Sequence, residues 1–152
     1  MNIITRDDLL SQIGNSRVTS DWLTIDQARI QAFADVTEDQ QFIHVDEEAA
    51  KATPFGGTVA HGFLTLSMLS KLAGETLPML EGLAMGVNYG FDKVRFINPV
   101  RAGKRIRGHF ALKAVKEPQP GTYVIRYEVE VEIEGEAKPA LAAEWLTMQV
   151  TS

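Results

Sequence analysis

Between Tyr123 and Gly135 the sequence reads YVIRYEVEVEIEG, with β-branched or aromatic residues alternating with charged ones. A period of two sends successive side chains to opposite faces of a strand, so this stretch has one buried and one wet face, the pattern of antiparallel sheet. Three further segments have strand character: Leu83 to Val94, continuing through Arg95 and Phe96; Arg105 to Lys116; and Ala140 to Val150. The turn signals between them, Asn98-Pro99, Pro118-Gln119-Pro120-Gly121 and Gly135, predict a meander of strands in sequence order.

The N-terminal half follows a helical period. DDLLSQI, after Thr5 as a cap, predicts an amphipathic helix over 5–13 that Gly14 ends, and Arg17 to Leu23 alternates weakly as a strand. Thr24-Ile25-Asp26-Gln27 has capping-box spacing, predicting a helix from Ile25 to Asp35. Val36 to Asp46 reads as a loop, and Asp46 to Lys51 as a short helix with acidic residues in its first turn. Pro54, Phe55, Gly56 and Gly57 then break the chain before the longest apolar helix candidate, Gly62 to Leu77, which opens at Ala60-His61-Gly62. The class is therefore α+β: a single domain over 1–152, one long helix laid across the concave side of one curved sheet.

Composition narrows the function. At 45% hydrophobic and 23% charged, with no apolar run near the ~18 residues that span a bilayer, the chain is expected to be soluble, with no membrane partner. Its N-terminus lacks a basic-then-apolar signal pattern, so the expected location is the cytoplasm. The absence of cysteine removes disulfides, thiolate nucleophiles and cysteine-bound metals, and a net charge of −5 disfavours nucleic acid as a partner. The densest basic patch, Lys104, Arg105 and Arg107 with Lys93, Arg95 and Arg101 upstream, reads first as a solvated strand face, with a phosphate-bearing ligand as the alternative.

The chemistry-bearing residues concentrate between Asp35 and Leu72. Asp39 and His44, five positions apart in a polar run, suit a carboxylate and an imidazole converging on one water, although such a pair in a loop also serves as capping. Gly62 at a helix start leaves backbone N–H groups open to a negatively charged ligand atom. His61 reads as a residue fixing the turn, and His109 as a surface or half-buried residue of an alternating strand. His44, Asp46 and His61 offer metal-ligand types without a recognised metal spacing, so no metal is expected.

TEDQQFIHVD, followed by PFGGTVAHGFLTLSMLS and then VNYGFDKVRFINPVRAGKRIRG, resembles the MaoC-like hydratases, the (R)-specific enoyl-CoA hydratases of the hot-dog superfamily, and most closely their nodulation-protein-N-like branch. The resemblance covers about residues 21–150. It implies a long central helix wrapped by an antiparallel sheet, a homodimer joined sheet edge to sheet edge, and hydration of trans-2-enoyl-CoA to (R)-3-hydroxyacyl-CoA without a cofactor. The Asp and His of the family's D-x(4)-H motif fall on Asp39 and His44, the glycine whose N–H holds the thioester carbonyl falls on Gly62, and Ser70 falls on a serine lining some hydratase sites. For Ser70 a buried hydroxyl bonded to the i−4 carbonyl is an equal reading.

Two departures from the family pattern stand out. Many members carry glycine before the catalytic Asp, where this chain has Glu38, expected to face solvent. Gln40, Gln41 and Phe42 replace the commoner x-Asn-Pro. A hot-dog acyl-CoA thioesterase and a non-catalytic acyl-binding subunit are the competing readings. The acyl chain is expected along Phe33, Phe63, Leu66 and Met85, and the CoA phosphates near Lys93, Arg95, Arg101 or Lys104.

Overall fold

The computed structural model describes residues 2–152. In chain order these are β1 (Ile3–Ile4), α1 (Arg6–Ser11), β2 (Arg17–Thr19), β3 (Leu23–Thr24), α2 (Gln27–Thr37), α3 (Phe42–Val45), α4 (Glu47–Lys51), α5 (Gly62–Ser67), α6 (Leu69–Gly74), β4 (Met79–Leu80), β5 (Leu83–Phe96), β6 (Arg105–Gln119), β7 (Thr122–Ile133) and β8 (Leu141–Thr151).

The sheet is antiparallel, as the alternation requires, but it is not a simple meander. Its order is β2-β6-β7-β8-β5, with β3 also on β6. Strand β5 precedes β6 in sequence yet pairs with β8, Phe96 opposite Leu141 and Leu83 opposite Thr151. The predicted neighbour relation fails because residues 97–104 form a crossover instead of a hairpin. The crossover is pinned beneath the loop before α5: Ala60 N–H donates to the Val100 carbonyl at 2.8 Å and Ala102 N–H to the Thr58 carbonyl at 3.0 Å. The weak strand expected over 17–23 is two short strands, both on β6.

The long helix is present as two segments. Met68, at φ −68° and ψ −11°, separates α5 from α6, yet Met68 N–H still reaches the Leu64 carbonyl and Leu72 N–H the Met68 carbonyl, both at 3.0 Å. The rod therefore keeps one buried face, Leu64, Leu69, Leu72 and Ala73, against Phe110, Ile125, Tyr127, Val129 and Trp145 of the sheet. Each fully buried Leu or Ile contributes about 1.5–3 kcal/mol. Gly108 permits the close approach: a Cβ there would lie 2.7 Å from the Phe110 ring and 3.5 Å from Leu72.

Two helix boundaries differ from expectation. The cap of α2 is Asp26, whose carboxylate accepts from Arg29 N–H at 2.8 Å. Thr24 instead belongs to β3, because pairing with Arg105 holds it extended. The region 36–46, expected as loop, contains the last residues of α2 and the helical turn α3, which His44 occupies. Thr5 caps α1 in a full capping box with Asp8.

Candidate active site

Helix α2 ends at Glu38, whose φ of 61° is left-handed. That reversal turns the chain so that Asp39 follows the helix and α3 carries His44 inward. Glu38 is solvent-exposed, as expected, and is the sole non-glycine residue with positive φ among the described residues.

His44 is buried, 7% exposed, and its Nδ1 lies 2.6 Å from the Val59 carbonyl. A carbonyl only accepts, so Nδ1 carries the proton and Nε2 keeps a lone pair. Burial lowers the His44 pKa from its ordinary value, the bond to Val59 opposes this, His61 lowers it further and Asp39 raises it slightly. The net shift is downward, so at neutral pH His44 is an uncharged base.

His61, only 3% exposed, stacks on His44 with ring centroids 3.7 Å apart. Its Nε2 lies 3.0 Å from the backbone carbonyl of Asp39 and 4.0 Å from the carboxylate. The Asp39 side chain is about half exposed, with Gln41 N–H donating to Oδ1 at 3.4 Å. One nitrogen or carboxylate oxygen from each of Asp39, His44 and His61 lies within 4.8 Å of the others. The residue types suit a cation, but the two imidazoles lie nearly parallel, 23° between planes, so their in-plane lone pairs do not converge on one point.

Gly62 opens α5 beside this cluster. A cleft of about 290 Å³ is lined by His44, Val59, Gly62, Thr65, Phe96 and Asn98, among others, so the buried imidazole and the first turn of the helix face one space. A Cβ on Gly62 would sit 3.0 Å from the half-exposed Phe96 ring, so a larger residue here would push that ring aside.

Ser70 does not join this cleft. It is exposed on α6, accepts from Asn88 Nδ2 at 3.4 Å, and lines a separate hollow of about 310 Å³ with Tyr127 and Trp145. Nor is it a buried hydroxyl on the preceding turn; Ser67 makes that bond, to the Phe63 carbonyl at 2.7 Å. Of the residues expected along the acyl chain, Phe33 packs on His61 at 5.0 Å, while Phe63 and Met85 are exposed at 67% and 53%.

The basic patch divides. Arg105 and Arg107 pair with Glu134 and Glu132 and lie over the Trp22 ring, as a solvated strand face does. His109 is half-buried between Thr19 and Glu132. Arg101 turns to the Gly56 carbonyl at 3.0 Å.

Residue spacing gave no sign of Val59, Thr58, Gln27 or Glu47. Gln27 Nε2 donates to the His44 carbonyl at 2.8 Å, and Thr58 stands between Gln27 and Glu47. The Gly56-Gly57 break was the one available hint, since it aims residues 58–60 back at His44.

A helical rod laid on an antiparallel sheet is the arrangement of a hot-dog protein. The chain belongs to the MaoC like domain family, whose match covers residues 8–134. It is 49% identical over 149 residues to Nodulation protein N of Rhizobium meliloti (strain 1021), covering 97% of this chain and 92% of that one. It is 43% identical over 143 residues to 3-hydroxyacyl-thioester dehydratase Z of Mycobacterium tuberculosis (strain ATCC 25618 / H37Rv), covering 94% of each. The solved (R)-hydratase of A. caviae shares the fold, with a TM-score of 0.72 at 23% identity over 87% of this chain and 92% of that one.

Proposed function

We propose that this protein adds water to trans-2-enoyl-CoA, reversibly, giving (R)-3-hydroxyacyl-CoA. The observation that carries the reading is His44: buried, neutral, its Nδ1 proton committed to Val59, in one cleft with the N-terminus of α5. His44 Nε2 and the Asp39 carboxylate hold one water. As its oxygen attacks Cβ, a proton passes to the dyad and negative charge gathers on the thioester oxygen. The Gly62 N–H, at the positive end of the rod that α5 and α6 form, stabilises that charge; such a donor contributes about 3 kcal/mol. The dyad then protonates Cα on the same face, giving syn addition. Acid-base chemistry of this kind calls for neither metal nor organic cofactor.

A homodimer belongs to this reading. The 14-residue strand β5 ends the sheet, and Met85, Val87, Tyr89 and Phe91 are exposed along it, an open apolar edge suited to a second copy.

The test is the loss of enoyl absorbance with crotonyl-CoA and a longer trans-2-enoyl-CoA, for wild type, Asp39→Asn and His44→Ala. Hydration that collapses in both folded variants, with (R) product, supports the dyad. Activity surviving both changes sinks it. Release of free CoA without hydration points to a thioesterase instead.

A further inference from the structure

A second polar group lies behind His44, away from the reacting atoms. Thr58 is 1% exposed, and its hydroxyl is 2.6 Å from Gln27 Oε1 and 2.9 Å from Glu47 Oε2. The same carboxylate oxygen accepts Thr58 N–H at 3.0 Å. Gln27, having one amide face toward Thr58, donates with the other to the His44 backbone carbonyl at 2.8 Å. The next residue after Thr58 is Val59, whose N–H donates to the Ile43 carbonyl at 3.0 Å and whose carbonyl holds His44 Nδ1.

The group thus grips His44 at both ends. Gln27 fixes the backbone of the turn that carries it, and Glu47, through Thr58, fixes the carbonyl that selects its tautomer. On the far side the glycine turn runs between two side-chain ends: a Cβ on Gly57 would stand 2.6 Å from Arg101 Nη2 and 3.0 Å from Glu47 Oε1. Arg101 in turn donates to the Gly56 carbonyl, so the glycine turn is clamped between one cation and one anion.

We infer that Glu47, Thr58 and Gln27 are positioning residues that hold His44 in its Nδ1–H tautomer with Nε2 aimed into the cleft. None of them touches substrate; each acts through Val59 or through the backbone of His44. With that carbonyl out of hydrogen-bond reach, the ring is free to take the other tautomer, which presents an N–H where the reaction needs a lone pair. The inference rests on His44 as the base of the hydration proposed above, but its central claim concerns the ring itself and is read without turnover.

The experiment compares wild type with Thr58→Val, which keeps shape and backbone N–H but removes the hydroxyl, and with Thr58→Ser, which restores it. Gln27→Leu is a second probe, removing the bond to the His44 backbone carbonyl directly. Imidazole ¹⁵N shifts at neutral pH report the tautomer, and crotonyl-CoA kinetics report its effect. Expected is an Nδ1–H signature in wild type and Thr58→Ser, a mixed signature in Thr58→Val and Gln27→Leu, and a kcat lower by roughly ten- to a hundredfold in both, with KM within about twofold. Folded Thr58→Val and Gln27→Leu proteins that retain the wild-type signature overturn the inference. If the wild type hydrates nothing while its tautomer still responds to these changes, the hydratase reading fails and the positioning stands.

Discussion

The rings of His44 and His61 lie face to face, 3.7 Å between centroids, and the outer nitrogen of His61 reaches the backbone carbonyl of the other proposed catalytic residue, Asp39, at 3.0 Å. One imidazole therefore sets the plane of the base and the position of the acid. The two elements it joins, α3 and the end of α2, are separated in the chain by an exposed polar turn.

His61→Phe keeps an aromatic ring for the stack and removes the donor to Asp39. The expected result is a folded protein with kcat for hydration lowered about fivefold, the worth of one hydrogen bond near 1 kcal/mol. Steady-state kinetics beside a thermal melt check it: unchanged kcat removes His61 from the site.

The pH dependence follows from His44. Its folded pKa lies below the unfolded value of 6.5, chiefly through burial. A depressed pKa means the unfolded chain binds the proton first, so this contribution to stability is complete above pH 6.5 and is lost as pH falls from there through the folded value. The base form disappears over the same lower window. kcat/KM should hold level at neutral pH and drop on an acid limb whose midpoint lies below 6.5; a midpoint above 6.5 contradicts a buried neutral base.

Gly62→Ala places a Cβ 3.0–3.2 Å from the Phe96 ring. Phe96 is about half exposed and can yield, so the loss of stability should be under ~1 kcal/mol. The displaced ring lines the same cleft as His44, so activity should fall more than stability does. Adding Phe96→Ala should then recover part of the lost rate in the double variant, and failure to recover assigns the effect to Gly62 itself.

Glu38→Gly relieves the left-handed backbone at φ 61°. The strain of a non-glycine residue there, less the greater freedom of glycine in the unfolded chain, leaves a gain of roughly 0.5–1 kcal/mol. A rise in Tm of about 2 °C with kcat unchanged is the expected outcome. A fall in kcat instead assigns Glu38 a part in holding Asp39.

The helix after Gly62, the four long strands and the nearness of Asp39, His44 and Gly62 to one another were legible because each rests on local order: a period of 3.6, a period of two, and a motif of fixed spacing. The placement of β5 was not, since four strands of similar alternation permit several neighbour orders. Only the crossover at 97–104, pinned to residues 58–60, selects β8 as its partner. Thr24 shows the same limit on a smaller scale, where a strand pairing with Arg105 overrode a capping signature.

By itself, then, the sequence determined the α+β class, the antiparallel sheet and which side chains have the chemistry of an acid, a base and a helix-start donor, because those follow from side-chain type and backbone period. The tertiary structure decided that His44 is buried and neutral, that Val59 fixes its tautomer, that His61 stacks on it, and that Ser70 opens on a different hollow. Those properties depend on desolvation and on contacts between residues distant in the chain, such as Gln27 and Thr58, 31 positions apart, which a spacing along the chain does not encode.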